Sequence, residues 1–399
     1  MFFFCALFSQ NQVLGKKATF HLNGKLITNT SEFELPKNTT YAPEPLENED
    51  PAESLENNFV AESEKLPIDG PLSTNIKNFF YNLFGYAKTE DSQILDAGDV
   101  KIGFSTELIN ENESVNLLIT EQGLPLKSSV FKFEEGRKDA YFVDYELIEN
   151  NYSFRVGLGW GFEFGVDVTE IDMSTDHADK FIDEYHKSLG FSRGKRFTGQ
   201  EGRNIIEFYR YNEETELIET FDHTDDLNGI SKVLVSIAKD IYSEGDFYSA
   251  LRIFYKNPMG DKDKLFSSGS SDIYTSLSFK KRRWFVDSLA LNMWLGFLNA
   301  GKINDPTLSE IQFSSAYDVH TSVTYLPYSN FGYKFLISYY SNLYESDTNL
   351  LGEAMIVSGL GIVGRIFDTN RIELMITEDA DVYAGAPDVL IGLKLESKF

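Results

Sequence analysis

The sequence predicts an all-β fold: a transmembrane, antiparallel, up-and-down β-barrel of about twelve strands, within roughly ten to fourteen, with one short helix in a loop. Three observations predict it. Apolar and polar residues alternate with period two in about a dozen segments separated by Gly, Asn and Asp turns. Aromatic residues make up 14% of the chain, with 33 Phe and 21 Tyr against 3 Trp, which is a β-rich usage. No apolar run is long enough for a membrane helix, and a mean hydropathy of −0.27 suits strands that turn only alternate residues toward lipid.

The chain opens MFFFCALFSQNQVLG, an apolar core from Phe2 to Phe8 followed by small and polar residues. Residues 1–29 are read as a truncated or atypical signal peptide, because the positive leading region is missing, and the true start codon stays open. Cys5 is the only cysteine, so an internal disulfide and a thiolate metal cluster are excluded. A lipoprotein site at Cys5 is disfavoured, since the preceding FFF lacks the small residues that cleavage needs. Residues 30–69 are acidic, carry proline and show no sustained period. They are read as a disordered linker, either a solvated spacer or an arm that binds a partner.

From Gly70 to Phe399 the texture is that of an outer-membrane barrel. Tyr152–Val168, YSFRVGLGWGFEFGVDV, alternates without a break and is read as one strand about 55 Å long at ~3.3 Å per residue. That length suits a barrel wall better than a compact soluble sandwich or barrel, the structural rival. Its even positions, all aromatic or branched, are assigned to lipid. Arg155, Glu163 and Asp167 are assigned to the lumen, with glycines between them to relieve crowding. Asp318, His320 and Ser322 line the lumen from a later strand by the same alternation. Further strands are read at Val100–Leu108, Tyr141–Leu147, Asn204–Tyr211, Ser231–Ile241, Phe247–Tyr255, Ile273–Lys280, Leu289–Phe297 and Ile311–Tyr325. Phe331–Tyr339, Ala354–Ile366, Arg371–Thr377 and Asp388–Phe399 complete the series. The helix is HADKFIDEYHKSLG, where Phe181, Ile182, Tyr185 and Leu189 fall at helical spacing and Gly190 is a stop.

Several blocks, in order, resemble a proteobacterial family, the domain of unknown function 3187. They are GPLSTNIKNFFYNLFGYA, YFVDYEL, HADKFIDEYHKSLGFSRGKR, KNPMGDKDKLFSSGSSDIYTSLSF and MITEDADVYAGAPDVLIGLKLESKF. Tyr145 stands where the family tends to show glycine. The resemblance runs from about Gly70 to the end and implies an outer-membrane barrel, and little more.

Chemistry is thinly signalled. A net charge of −26 argues against nucleic acid and against docking on anionic lipid through a polybasic patch. Asp179, Asp183 and His186, with His177, crowd the helix; packing over a barrel mouth explains them as well as a metal would, and no metal or other cofactor is assigned. His320 and Ser322 invite comparison with outer-membrane phospholipase A, but the Ser-Asn-Gly continuation is absent and both residues fall on the inner face. SSGSSD and GLGIVG are read as turn and strand glycines, and Glu378, Asp379, Asp381 and Asp388 as a solvated turn. The final alternating strand ends in Phe399, which resembles the signal read by the barrel-assembly machinery, although Ser397 breaks the apolar pattern. Outer-membrane lipid and that machinery are the partners expected; oligomeric state stays open. Three functions remain: a channel or transporter for a small solute, a non-conducting structural or adhesive barrel, and a barrel enzyme acting on lipid. An open polar lumen favours the first, a filled lumen the second, and an outward His320–Ser322 pair the third.

Overall fold

The structure is a computed structural model that describes residues 21–22, 25–26, 65–115, 138–173, 204–212, 217–223, 228–257, 267–380 and 389–399. The chain divides into two units, Met1–Asn58 and Phe59–Phe399. In the first, β1 (His21–Leu22) and β2 (Lys25–Leu26) pair as a small antiparallel ladder.

The second unit holds α1 (Phe79–Asn82) and then β3 (Val100–Val115), β4 (Asp139–Gly159), β5 (Phe162–Asp172), β6 (Ile205–Asn212) and β7 (Leu217–His223). Next come β8 (Asn228–Glu244), β9 (Phe247–Asn257), β10 (Asp272–Lys281) and β11 (Leu289–Asn299). After α2 (Pro306–Ile311) follow β12 (Ser315–Tyr328), β13 (Phe331–Tyr340), α3 (Asn349–Gly352), β14 (Met355–Arg365), β15 (Asn370–Asp379) and β16 (Val389–Lys398). Twelve strands close an antiparallel barrel in chain order, with β6 and β7 left out of the ring. Closure joins the two ends of the wall, β3 pairing with β16 from Lys101↔Lys398 to Asn110↔Val389. The β6–β7 hairpin instead extends the upper part of β4, from Asp139 to Asp144.

Alternation sets the faces. On β9, Ile253 and Tyr255 are exposed outside while Arg252, Phe254 and Lys256 are buried inside; on β11, Met293, Leu295 and Phe297 are outside and Asn292, Trp294 and Leu298 inside. A one-residue slip of any strand would exchange the two sets, so this pattern fixes the register.

Tyr152–Val168 is not one long strand. β4 ends at Gly159 and β5 begins at Phe162, with Trp160 and Gly161 forming a two-residue turn. Gly159, Trp160 and Gly161 all have positive φ, at 85°, 51° and 71°, a run that turns the chain and that glycine makes accessible. The register shift between Gly157 and Gly159 carries the alternation through the turn unbroken, which is why the hairpin reads as a single strand. The face assignment stands on both halves: Tyr152, Phe154 and Leu158 are exposed, whereas Arg155, Glu163 and Asp167 are buried.

One rim carries short turns: two residues join β4 to β5, β8 to β9 and β12 to β13. The other rim carries the longer connections. The lumen between them is occupied by Lys65–Asp99, which enters and leaves at the short-turn rim. Leu66 N–H donates to the Asp368 carbonyl (2.8 Å), and Arg365 Nε donates to the Leu66 carbonyl (3.1 Å). The chain then climbs past Leu72, whose N–H donates to Ser322 Oγ (3.3 Å), to α1, where Asn78 caps the helix by accepting from Phe80 N–H (3.0 Å). It descends to Gly98, whose N–H donates to the Gly157 carbonyl (2.9 Å). Packing thus begins at Lys65: Leu66, Ile68 and Asp69 are buried, although their composition groups them with the acidic linker. The helix expected around Phe181–Leu189 lies outside the described residues.

Candidate functional site

The filled lumen is the candidate site, and it has two zones. Toward the long connections the plug presents aromatic side chains. Phe80 packs edge-on or tilted against Phe79, Tyr141, Phe221 and Tyr344 with ring centroids 5.4–6.3 Å apart, and Tyr86 meets Tyr274 and Tyr340 at 6.0 and 6.3 Å. These rings, with Phe84, Trp294, Leu298 and Leu336, form one buried apolar cluster. Its place is inside the barrel, because a twelve-stranded ring is too wide for wall side chains alone to fill.

Toward the short-turn rim the contact is ionic. Arg155 on β4 binds Glu90 of the plug (2.9 Å) and Asp167 of β5 (2.8 Å). Lys101 also reaches Glu90 (3.3 Å). Lys280 holds Asp91 (2.7 Å) and Asp69 (3.2 Å), and Arg282 also binds Asp69. At mid-height the signs reverse: plug Lys77 bridges Glu107 (2.6 Å) and Glu149 (2.5 Å), and plug Lys88 binds Glu107 (2.6 Å). Such pairs lose much of their Coulomb energy to desolvation, so they add little net stability while intact and strongly destabilise when one partner is removed.

Glycines on the inner face are seats for the plug. A Cβ on Gly157 would overlap the Asp96 carbonyl, and one on Gly361 would overlap Leu72. Close approach of the plug segment of the same chain explains them, beyond the relief of crowding expected from the sequence alone.

Of the sequence-selected residues, Arg155, Glu163, Asp167, Asp318, His320 and Ser322 are all buried, facing the lumen. Arg155 and Asp167 meet directly, and Glu163 pairs with Arg252 (3.3 Å). His320 does not use Ser322. Its Nδ1 lies 2.7 Å from Ser338 Oγ and its Nε2 3.3 Å from Asp318 Oδ1, while Asp318 accepts from Tyr274 OH (2.8 Å), itself hydrogen-bonded by Trp294 Nε1 (2.8 Å). The order hydroxyl, imidazole, carboxylate is that of a hydrolytic triad, but Ser338 is 0% exposed and both imidazole nitrogens are engaged. The network acts as a satisfied polar core. Asp179, Asp183 and His186 lie outside the described residues. Phe399 is exposed beside β3, its N–H donating to the Val100 carbonyl (2.8 Å).

Residues 127–399 match the family model described as protein of unknown function, DUF3187. The chain belongs to this family. Within the DUF3187 chain, then, the plug of residues 65–99 precedes the matched region. Among solved structures, the COG4313 outer membrane channel from Pseudomonas putida F1 is similar at a TM-score of 0.47 and 9% identity, over 78% of this chain and 99% of that one. The NanC porin gives 0.37 and 9%, over 76% and 99%. A Pseudomonas aeruginosa FadL homologue gives 0.34 and 10%, over 76% and 91%. A search of curated proteins finds no match.

Sequence reading missed the plug's own charged residues, Asp69, Lys77, Lys88, Glu90 and Asp91. A signal was available: GPLSTNIKNFFYNLFGYA is rich in aromatics yet lacks period-two alternation, which fits buried chain better than wall.

Proposed function

We propose that the protein is an outer-membrane barrel whose lumen is a passage for a small solute, closed by its own segment Lys65–Asp99. The apolar outer face supports lipid as its surroundings. Short turns face the periplasm and longer connections face outward in barrels of this kind. The ionic seam between plug and wall carries the reading. A filler that serves stability alone does at least as well with apolar side chains, because well-packed apolar groups replace buried ion pairs without loss. An ionic seam has another property. When a stem of the plug shifts, water can solvate both sides, and the wall left behind is a polar lining.

A non-conducting structural barrel is the second reading, and the filled lumen favours it, above all at the aromatic tip. Burying Phe79, Phe80 and Phe84 contributes about 5–9 kcal/mol at ~1.5–3 kcal/mol each, which holds the tip in place. Passage therefore involves the stems and not the tip. The test is planar-bilayer conductance of the refolded full chain beside Gly157→Ala, which pushes the stem away from β4. The wild type should be closed for most of the record, and the variant open more often. Silence of both proteins, each with an intact folded band on gels, would leave the structural barrel.

A further inference from the structure

We propose that the solute path runs along one side of the plug, between the stem Lys88–Asp96 and the wall of β3, β4 and β16, that Glu90 is its gate, and that it takes small anions. This rests on the closed-passage reading above. Three cavities flank the stem. The inner one, about 20 Å³, is lined by Asn75, Tyr86, Lys88, Glu149, Arg155 and Lys232 among others. The outer one, about 40 Å³, lies at the short-turn rim against Asp91, Lys101, Arg371 and Glu396. The third, about 10 Å³, reaches Trp294, His320 and Ser322. A space of ~10–15 Å³ takes about one water, so each cavity has room for no more than a few waters and the path is shut.

Glu90 lines all three cavities, and Ser73 and Lys394 line both the inner and the outer one. The Glu90 side chain therefore stands at the junction, held by Arg155 (2.9 Å) on the inner side and Lys101 (3.3 Å) on the outer. Four further carboxylates along the path have cations of their own, and Asp96 stands at the outer mouth. Glu149 is held by Lys77, Asp167 by Arg155, Asp91 by Lys280 and Glu396 by Arg371. When Glu90 withdraws, Arg155 keeps Asp167 (2.8 Å) and Lys101 keeps Glu396 (3.6 Å), but each loses its contact with the plug carboxylate, a place that another anion can fill. Lys394, itself paired with Glu396 (3.1 Å), and Lys232 extend the lining on either side. On the inner side, Asn75 Oδ1, Tyr86 OH and Arg155 Nε belong to side chains at least nine-tenths buried and have no hydrogen-bond partner among the described residues. Tyr86 OH and Arg155 Nε can donate to an anion that enters, whereas Asn75 Oδ1 is an acceptor and offers it nothing. The chemistry that fits is that of Glu90 itself, a small carboxylate or an anion of similar size.

The experiment records single channels of full-length Glu90→Gln, Gly157→Ala and wild type across a potassium chloride gradient, with folding checked by heat-modifiable migration. Glu90→Gln removes the charge but keeps the shape. Its open fraction should rise roughly tenfold, the effect of losing about one charge-assisted hydrogen bond, and its reversal potential should lie on the chloride side. Adding Lys394→Glu to it should move the reversal toward potassium. If Gly157→Ala conducts while Glu90→Gln stays as closed as the wild type, the passage stands and Glu90 is not its gate. A potassium-selective Glu90→Gln current overturns the anion assignment. Silence of every folded variant removes the passage and this inference with it.

Discussion

Gly157→Ala tests whether the stem docks as a separable unit. The new Cβ points into the lumen and overlaps the Asp96 carbonyl, so the stem moves and the wall does not. Two backbone hydrogen bonds then break: Gly98 N–H to the Gly157 carbonyl (2.9 Å) and Gly157 N–H to the Asp99 carbonyl (3.0 Å). At ~0.5–1.5 kcal/mol each, the stem loses about 1–3 kcal/mol of docking free energy. Because 1.4 kcal/mol is a factor of ten, local opening should rise roughly 5- to 150-fold. Opening is read by maleimide labelling of Ser92→Cys, a position only 3% exposed, in a chain carrying Cys5→Ser. Labelling should accelerate by that factor while the heat-modifiable barrel band persists. Unchanged labelling would refute the seat at Gly157. Loss of the barrel band would show that stem and wall are one cooperative unit.

Phe80→Ala empties a fully buried ring site and should lower stability to urea by about 3–5 kcal/mol, with the wild-type m-value retained in a two-state transition. Leu360→Arg, at an exposed position midway along β14, should destabilise the barrel by about 2–4 kcal/mol in lipid if it lies near the midplane, as measured by reversible unfolding in vesicles. Removing Phe399 should lower outer-membrane yield in cells while refolding in detergent survives; equal yield would count against a role in assembly.

The wall was largely legible in the sequence because its physics is local. Burial on one face and lipid on the other force period two, and this located β10, β11, β13, β14 and β16 to within a few residues. The turn at Trp160–Gly161 escaped because its register shift preserves the alternation, so the pattern carries no mark of the reversal. His320 was placed on the inner face, but its hydroxyl partner was not found. Ser338 lies on the neighbouring strand, opposite His320 in the β12–β13 register, and strand pairing is not written in single-strand periodicity. The plug was hidden for a related reason. Its contacts are non-local, such as Ser73 N–H with Glu373 (3.2 Å) across 300 residues of sequence, and a segment whose only regular element is the four-residue α1 leaves no period to read.

Both ends of the plug leave through the same rim, at Leu66 and at Gly98. The segment is thus a loop inserted into a ring and never a thread drawn through one. Inserting the loop into the ring ties no knot among the described residues. Sealing of the wall at the β3–β16 seam and seating of the loop have no obligatory order: a finished ring can admit the loop, and a seated loop does not stop the ring from sealing. An assembled barrel therefore retains, in its native state, a topologically unobstructed way to release this segment and take it back.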